Sequence, residues 1–313
     1  MSSPVEQAVA VLRVGGLVAF PTETVYGLGA DALNKAAVGR VFVAKGRTAS
    51  RALTIAFAPQ ARFEEWAHVD DLARRLMGEF WPGPLTLVLP RTARVSPLIT
   101  GGQETVGLRV PDHPLALAML EAFAGGVVAP SANSSGLLSP TTAAHVRSDL
   151  GEKVDFILDG GACPLGLEST VLSLVGVPQV LRRGAIPTSL LEERLDCSLA
   201  APEMVTEKHF APHTSLEVVD KKGLARILNG ADRRWAVLAF DPPPTNVSSK
   251  IKWVLLPSDP VECGRLLYDT FRKLDSHGFD GILVSALPEG PQWEALSDRL
   301  NDAARFSPSF PSH

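Results

Sequence analysis

The chain has 313 residues, beyond the ~100–200 of a usual domain, so two domains are expected. It is 45% apolar and 20% charged, which suffices for a sizeable core and excludes a disordered chain. Lys and Arg number 30 against 34 Asp and Glu, a net charge of −4, without the basic excess that a bulk electrostatic grip on nucleic acid or an anionic membrane requires.

In chain order, Ser3-Pro4 caps and opens a first helix with Val5, Ala8, Val9 and Leu12 on one face, and Gly15-Gly16 ends it. Leu17 to Phe20 reads as a short buried strand, and Asn34 caps a second helix running to about Ala44. Further strands are expected at Leu53–Phe57, Leu85–Leu89, Val106–Val110, Phe156–Leu158 and Val171–Leu174, with helices at Asp70–Phe80 and Pro114–Ala124. Around residues 198–215 the rhythm lapses into a stretch with two prolines and no clean period, which reads as a linker. Beyond it come strand 216–219, helix 221–229, strands 235–240 and 251–255, helix 259–277, strand 281–285 and helix 291–305, a smaller α/β unit with a Rossmann-like pattern.

No run approaches the ~18 apolar residues of a membrane span, and Met1 to Glu6 has no signal-peptide character, so no membrane partner is expected. Cys163, Cys197 and Cys263 match neither a disulfide framework nor metal-ligand spacing, and the expected location is cytoplasmic. No metal site is expected. His209 and His213 are four apart, but Pro212 lies between them and a loop is the simpler reading.

The chain has no Gly-Lys dipeptide, hence no Walker A loop, and neither a G-x-S-x-G elbow nor an H-E-x-x-H helix. Gly27-Leu28-Gly29-Ala30-Asp31-Ala32 fits a dinucleotide fingerprint in letters only. Six residues separate it from its strand, and no acidic residue follows between Asp31 and Glu64. The stretch from Phe20 to Ala32 reads either as a glycine-rich turn or as a ligand loop exposing hydroxyls and N–H groups at a sheet end. Lys45-Gly46-Arg47, with Arg51 four further on, caps a helix C-terminus or clamps a polyphosphate. Trp81-Pro82-Gly83-Pro84 reads as a rigid turn of structural use. Arg109, on an apolar strand, must be paired or face a ligand anion. Pro130 to Gly136 offers hydroxyl and amide donors without charge, Glu168-Ser169-Thr170 adds hydroxyls, and Arg182-Arg183 adds cations. The set lacks a nucleophile–base pair and suits catalysis by positioning and charge stabilisation, as in nucleotidyl transfer.

The blocks PTETVYGLGADA, KGR, WPGPLTLVL, LRVPDHP, APSANSSG with SPT, DGG, LESTV and LRRGAIP occur in the order of the YrdC/Sua5 family, over about residues 5–195. With HFAP and the second α/β unit, the chain resembles the full-length, Sua5-type threonylcarbamoyl-AMP synthases of that family. The resemblance implies an α/β fold: a YrdC-like catalytic domain over 1–200 with a twisted mixed sheet, a linker or lid over 201–215, and a Rossmann-like Sua5 C-terminal domain over 216–313. It also implies that L-threonine, bicarbonate or CO2, and ATP with Mg2+ give threonylcarbamoyl-adenylate and diphosphate. A downstream transferase complex then carries the threonylcarbamoyl group to the tRNA adenosine beside the anticodon.

Carried over by motif position, the resemblance makes Lys45 and Arg47 the catalytic phosphate ligands. Arg47, Arg51, Thr105, Ser131, Asn133, Ser139 and Arg182 would bind ATP, while Thr24, Arg109, Ala129 (through its backbone) and Ser169 would frame threonine. The chain departs from the family pattern at Thr48 for Pro, Arg51-Ala52 for Asn-Pro, Ala56 for His, Arg183 for Pro and Phe210 for Tyr. His209, in a linker expected to close over the cavity, is a further candidate. The competing readings are a carbamoyl-adenylate-forming carbamoyltransferase of the same fold, whose metal-binding extra domains this chain lacks, and an RNA-binding regulatory module. The latter calls for base-stacking aromatics or a basic face, and aromatics are only 6% here.

Overall fold

The computed structural model describes residues 2–202, 210–230 and 233–308, without side chains at 226–230. Helix α1 (Pro4–Arg13) begins with a capping box: the Ser3 hydroxyl accepts the Glu6 N–H at 3.2 Å, and the Glu6 carboxylate accepts the Ser3 N–H at 2.7 Å. Strands β1 (Val18–Phe20) and β2 (Gly27–Asp31) lead to α2 (Lys35–Lys45). Asn34 caps that helix, and Gly46 ends it in the left-handed conformation at φ 58°. The chain continues through β3 (Thr54–Ala56), α3 (Asp71–Phe80), β4 (Leu85–Pro90), the single turn α4 (Pro97–Thr100), β5 (Thr105–Arg109), α5 (Pro114–Phe123) and β6 (Val127–Val128). It then forms α6 (Ala143–Leu150), β7 (Phe156–Ile157), β8 (Thr170–Ser173), β9 (Gln179–Arg182) and α7 (Thr188–Leu195).

The nine strands make one mixed sheet in the order β7-β1-β2-β6-β3-β5-β4-β8-β9. Strand β2 corrects the glycine-rich-turn reading of its sequence. It pairs antiparallel with β1 and β6, and its glycines make room for the Phe20 ring: a Cβ on Gly29 would lie 3.0 Å from that ring and from Val127. Tertiary pairing overrides local turn propensity here. Strand β9 and helices α6 and α7 carry weaker patterns and were not expected from the sequence.

Strand alternation sorts the sheet into two faces. One packs Ile55, Leu85, Leu87, Val106, Leu108 and Leu172 onto α2, α3, α6 and α7 through Val38, Leu76, Val146 and Leu191. The other is only half covered: Val18, Phe20, Ala56 and Val127 pack under α1 and α5 through Leu12, Ala116 and Leu120. Past Ala56 the register carries that face on to Arg109, Gly107, Thr86, Val171 and Arg182. None of these joins either apolar cluster.

A second unit is built on β10 (Leu216–Val219), α8 (Lys221–Gly230), β11 (Trp235–Ala239), β12 (Ile251–Leu255), α9 (Pro260–Asp275), β13 (Gly281–Ser285) and α10 (Glu294–Phe306). Its four strands run parallel in the order β10-β13-β11-β12; α8 and α9 make two of the crossovers, and the helix-free stretch 240–250 makes the one from β11 to β12. Gly136–Leu138 group with this unit and not with the first domain, where the sequence had placed them. The reason is main-chain pairing: Ala211 N–H donates to the Gly136 carbonyl at 3.1 Å, and the Arg272 guanidinium donates to the Leu138 carbonyl. In the expected linker, Phe210 is buried, its ring stacked on Tyr268 at 6.0 Å with the Arg299 guanidinium 4.5 Å over it. His209 lies outside the described residues. Among the described residues, no helix is long and apolar enough to cross a membrane.

Two glycines separate backbone freedom from packing. A Cβ on Gly39 in α2 meets nothing within 4 Å, so Gly39→Ala should raise stability by about 0.5–1 kcal/mol. A Cβ on Gly184 would fall 2.4 Å from the Glu168 carbonyl and the Ser169–Thr170 peptide, so Gly184→Ala should lower it by about 1–3 kcal/mol. Urea denaturation checks both signs.

Candidate functional site

Arg109 ends β5 on the part of the second sheet face beyond the α1–α5 cluster, and its side chain is only 11% exposed. Three groups hold the guanidinium. Nε donates to the Gly83 carbonyl at 3.2 Å, Nη1 donates to Thr24 Oγ1 at 3.0 Å, and Nη2 lies 2.7 Å from Glu23 Oε1. The Trp81–Pro84 turn, read from sequence as structural only, therefore also positions Arg109. Thr24 is fixed by Thr22, whose Oγ1 shares a hydrogen bond with Thr24 Oγ1 at 2.8 Å and donates to the Val25 carbonyl at 2.6 Å. Ala56, which stands for the family's His, lies directly across from Arg109 in the β3–β5 register.

Next along the same face, Ser169 Oγ and Thr86 Oγ1 share a hydrogen bond at 2.8 Å, and both residues are buried. Arg182 on β9 donates to the Ser169 carbonyl at 2.8 Å and to Ser169 Oγ at 3.1 Å. Arg182 and Ser169, assigned by the resemblance to different substrates, are thus direct neighbours. Ser139 Oγ donates to Glu168 Oε1 at 2.6 Å, with both residues buried. Thr105 opens β5 on the face that carries Arg109, four residues away. Ala129 donates its N–H to the Thr54 carbonyl at 2.8 Å, which ties the Ala129–Ser131 segment to β3.

The cations gather at the end of α2. Lys45 is 3% exposed, and its ammonium donates to the Ser131 carbonyl and, at 2.7 Å, to the Asn133 carbonyl. The Lys45 carbonyl in turn accepts the Ser135 N–H at 2.8 Å. This buried lysine therefore stitches the helix end to the 131–135 loop, a structural use that the sequence did not show. Asn133 turns its side-chain amide to the Ser134 carbonyl. Arg47 donates to the Ala52 carbonyl at 2.9 Å. Burial foremost, then the charges of Arg47 and Arg51, push Lys45 down to about 7, opposed by Asp149. Both arginines thus act within electrostatic reach of the amine.

The structure brings Thr24 to Arg109, Ser169 to Arg182, and Lys45 to Ser131, Asn133, Arg47 and Arg51. Sequence reasoning missed Glu23, Thr86 and Glu168 as members. Glu23 and Glu168 sit inside motifs already singled out, and Thr86 has the even-numbered register of the open face. Burial pushes the Cys163 thiol up to about 12, which removes it as a nucleophile near neutral pH. Burial also lowers the His113 imidazole from its usual value.

The Lys45 environment makes a pH prediction. With a folded value of about 7 against 10.5 for a free lysine, the unfolded chain binds more protons between those limits, so stability must rise with pH there. Lys45→Met removes this contribution, while the rest of the molecule titrates alike in both proteins. Wild-type stability, taken relative to Lys45→Met in urea, should therefore increase from pH 7 to pH 9; a constant difference would contradict the burial of an ionisable amine.

Comparison with known proteins bears on this geometry. Residues 10–184 match a family model described as "Telomere recombination", and residues 180–305 match one described as "Threonylcarbamoyl-AMP synthase, C-terminal domain". A threonylcarbamoyl-AMP synthase of Pyrococcus abyssi is 38% identical, covering 96% of this chain and 93% of that protein. One of Bacillus subtilis is 37% identical, covering 96% and 92%. The crystal structure of P. abyssi Sua5 complexed with L-threonine superposes with a TM-score of 0.87 at 35% identity, covering 96% of this chain and 94% of that one. The two matched family models, the parallel second unit and near full-length similarity agree: the chain belongs to the YrdC/Sua5 family, among its two-domain Sua5-type threonylcarbamoyl-AMP synthases.

Proposed function

We propose that this protein condenses L-threonine, bicarbonate or CO2, and ATP into threonylcarbamoyl-adenylate and diphosphate. The observation that carries the reading is the half-covered sheet face, where a buried guanidinium and paired hydroxyls stand on the same sheet as the cationic end of α2. Arg109 takes the threonine carboxylate, since its planar fork matches that anion and its three anchors fix its direction. Thr24 and Ser169, with the Ala129 carbonyl, frame the rest of the amino acid. Arg47 and Arg51 hold the triphosphate, with Thr105, Ser131, Asn133, Ser139 and Arg182 around the nucleotide.

The threonine ammonium first gives up a proton to solvent, its nitrogen bonds to the carbon of CO2 and loses a second proton (bicarbonate also releases a water), and a carbamate oxygen then attacks the α-phosphorus of ATP as diphosphate leaves. Negative charge grows on the departing phosphates, which is where fixed cations stabilise the transition state most. Lys45, poised near neutrality, gains a proton most readily when a phosphate arrives beside it. Mg2+ would share that charge. Among the described residues no group of three His, Cys, Asp or Glu side chains gathers to hold a metal, so the ion fits as a passenger on the ATP phosphates. Carbamate and mixed anhydride both decompose in water, which suits a recessed site and rapid transfer to a downstream complex acting on tRNA.

Incubation with ATP, Mg2+, bicarbonate and L-threonine should release diphosphate only when threonine is present; release without it contradicts the proposal. L-Serine, one methyl smaller, should react with kcat/KM lower by about 10–200-fold. Arg47→Ala should lower kcat/KM at least a hundredfold with an unchanged urea midpoint, and retention of normal turnover would remove Arg47 from the phosphate site.

A further inference from the structure

Glu23 is 5% exposed, yet among the described residues neither of its carboxylate oxygens has a hydrogen-bond partner. It forms an ion pair with Arg109 and lies within electrostatic reach of His113, and although Oε1 and Nη2 are 2.7 Å apart, they miss hydrogen-bond alignment; Nη2 also lacks an acceptor among the described residues. A carboxylate can accept about four hydrogen bonds. Burying one with none of them made is costly, and such groups persist where something else completes them. The segment around Glu23 is firmly held. Leu165 N–H donates to the Glu23 carbonyl at 2.9 Å, and Thr22 and Thr24 brace each other on either side. The acid is therefore presented, and local slack does not explain its bare oxygens.

The unmet needs are complementary. Arg109 has a donor in want of an anion, and beside it Glu23 has acceptors in want of donors. An α-amino acid carries a carboxylate and an ammonium on one carbon, so its zwitterion exchanges one misaligned internal ion pair for two aligned charge-assisted contacts. Resting on the threonine reading above, we propose that Glu23 is a substrate-specificity residue that accepts the α-ammonium of the bound amino acid, opposite the carboxylate held by Arg109. The pair then selects a zwitterion over a simple hydroxy acid and positions its nitrogen, which bonds to CO2 only after the ammonium has released a proton to solvent.

Calorimetric titration of the full chain with L-threonine and with 3-hydroxybutyrate, which keeps the carboxylate and hydroxyl but lacks the amine, tests this. Wild type should bind threonine at least tenfold more tightly than 3-hydroxybutyrate. Glu23→Gln should weaken threonine by about ten- to a hundredfold, the loss of one charge-assisted hydrogen bond, and leave 3-hydroxybutyrate unchanged or tighter. Equal weakening of both ligands would mean that Glu23 merely positions Arg109, and would overturn the proposal. So would equal affinity of wild type for the two ligands, a result that needs no variant to fold. Threonine binding to wild type with no change in Glu23→Gln overturns the role of Glu23 alone. Failure of wild type to bind threonine at all removes the substrate reading and this inference with it.

Discussion

A guanidinium embedded in a β-sheet must be satisfied on every side or it will not stay there. Arg109 comes close to that demand with groups drawn from two distant parts of the chain, the Trp81–Pro84 turn and the Thr22–Thr24 segment with its Glu23, and only Nη2 is left without an aligned acceptor among the described residues. One cation thereby fixes two loops against the end of β5. The part of the sheet face beyond the α1–α5 cluster owes its polarity to the same register, which carries Thr86, Gly107 and Arg182 beside Arg109. Gly107 keeps the centre of that face low, since a Cβ there would already touch the Thr86 methyl at 3.3 Å.

Much of this was legible in the sequence. Short apolar runs bounded by prolines gave the strands, and capping residues such as Ser3, Asn34 and Asp70 marked helix starts. The second unit followed from a regular alternation of elements. The failures have physical causes. Gly27–Asp31 has turn composition, and only cross-strand packing against Phe20 makes it a strand. Gly136–Leu138 changed company through contacts to its carbonyls from Ala211 and Arg272, which no local pattern encodes.

The candidate site was legible as motifs but not as a network. Spacing cannot show that Arg182 braces Ser169, or that Ser139 meets Glu168, because those pairs are separated by 13 and 29 positions. Nor can it show that a lysine lies with its amine against carbonyls. Lys45 appeared as one cation of a polyphosphate clamp; its bonds to Ser131 and Asn133 show that it ties the 131–135 loop to the end of α2. Both uses draw on the same three hydrogens, so an arriving phosphate competes with the loop for them.

The three residues that leave the first unit's sequence to join the second have an architectural consequence. A chain cut at residue 200 retains Gly136–Leu138 but discards Ala211 and Arg272, the donors to their carbonyls. The second unit is therefore discontinuous in sequence, and any truncation meant to remove it leaves behind three of its residues stripped of their partners.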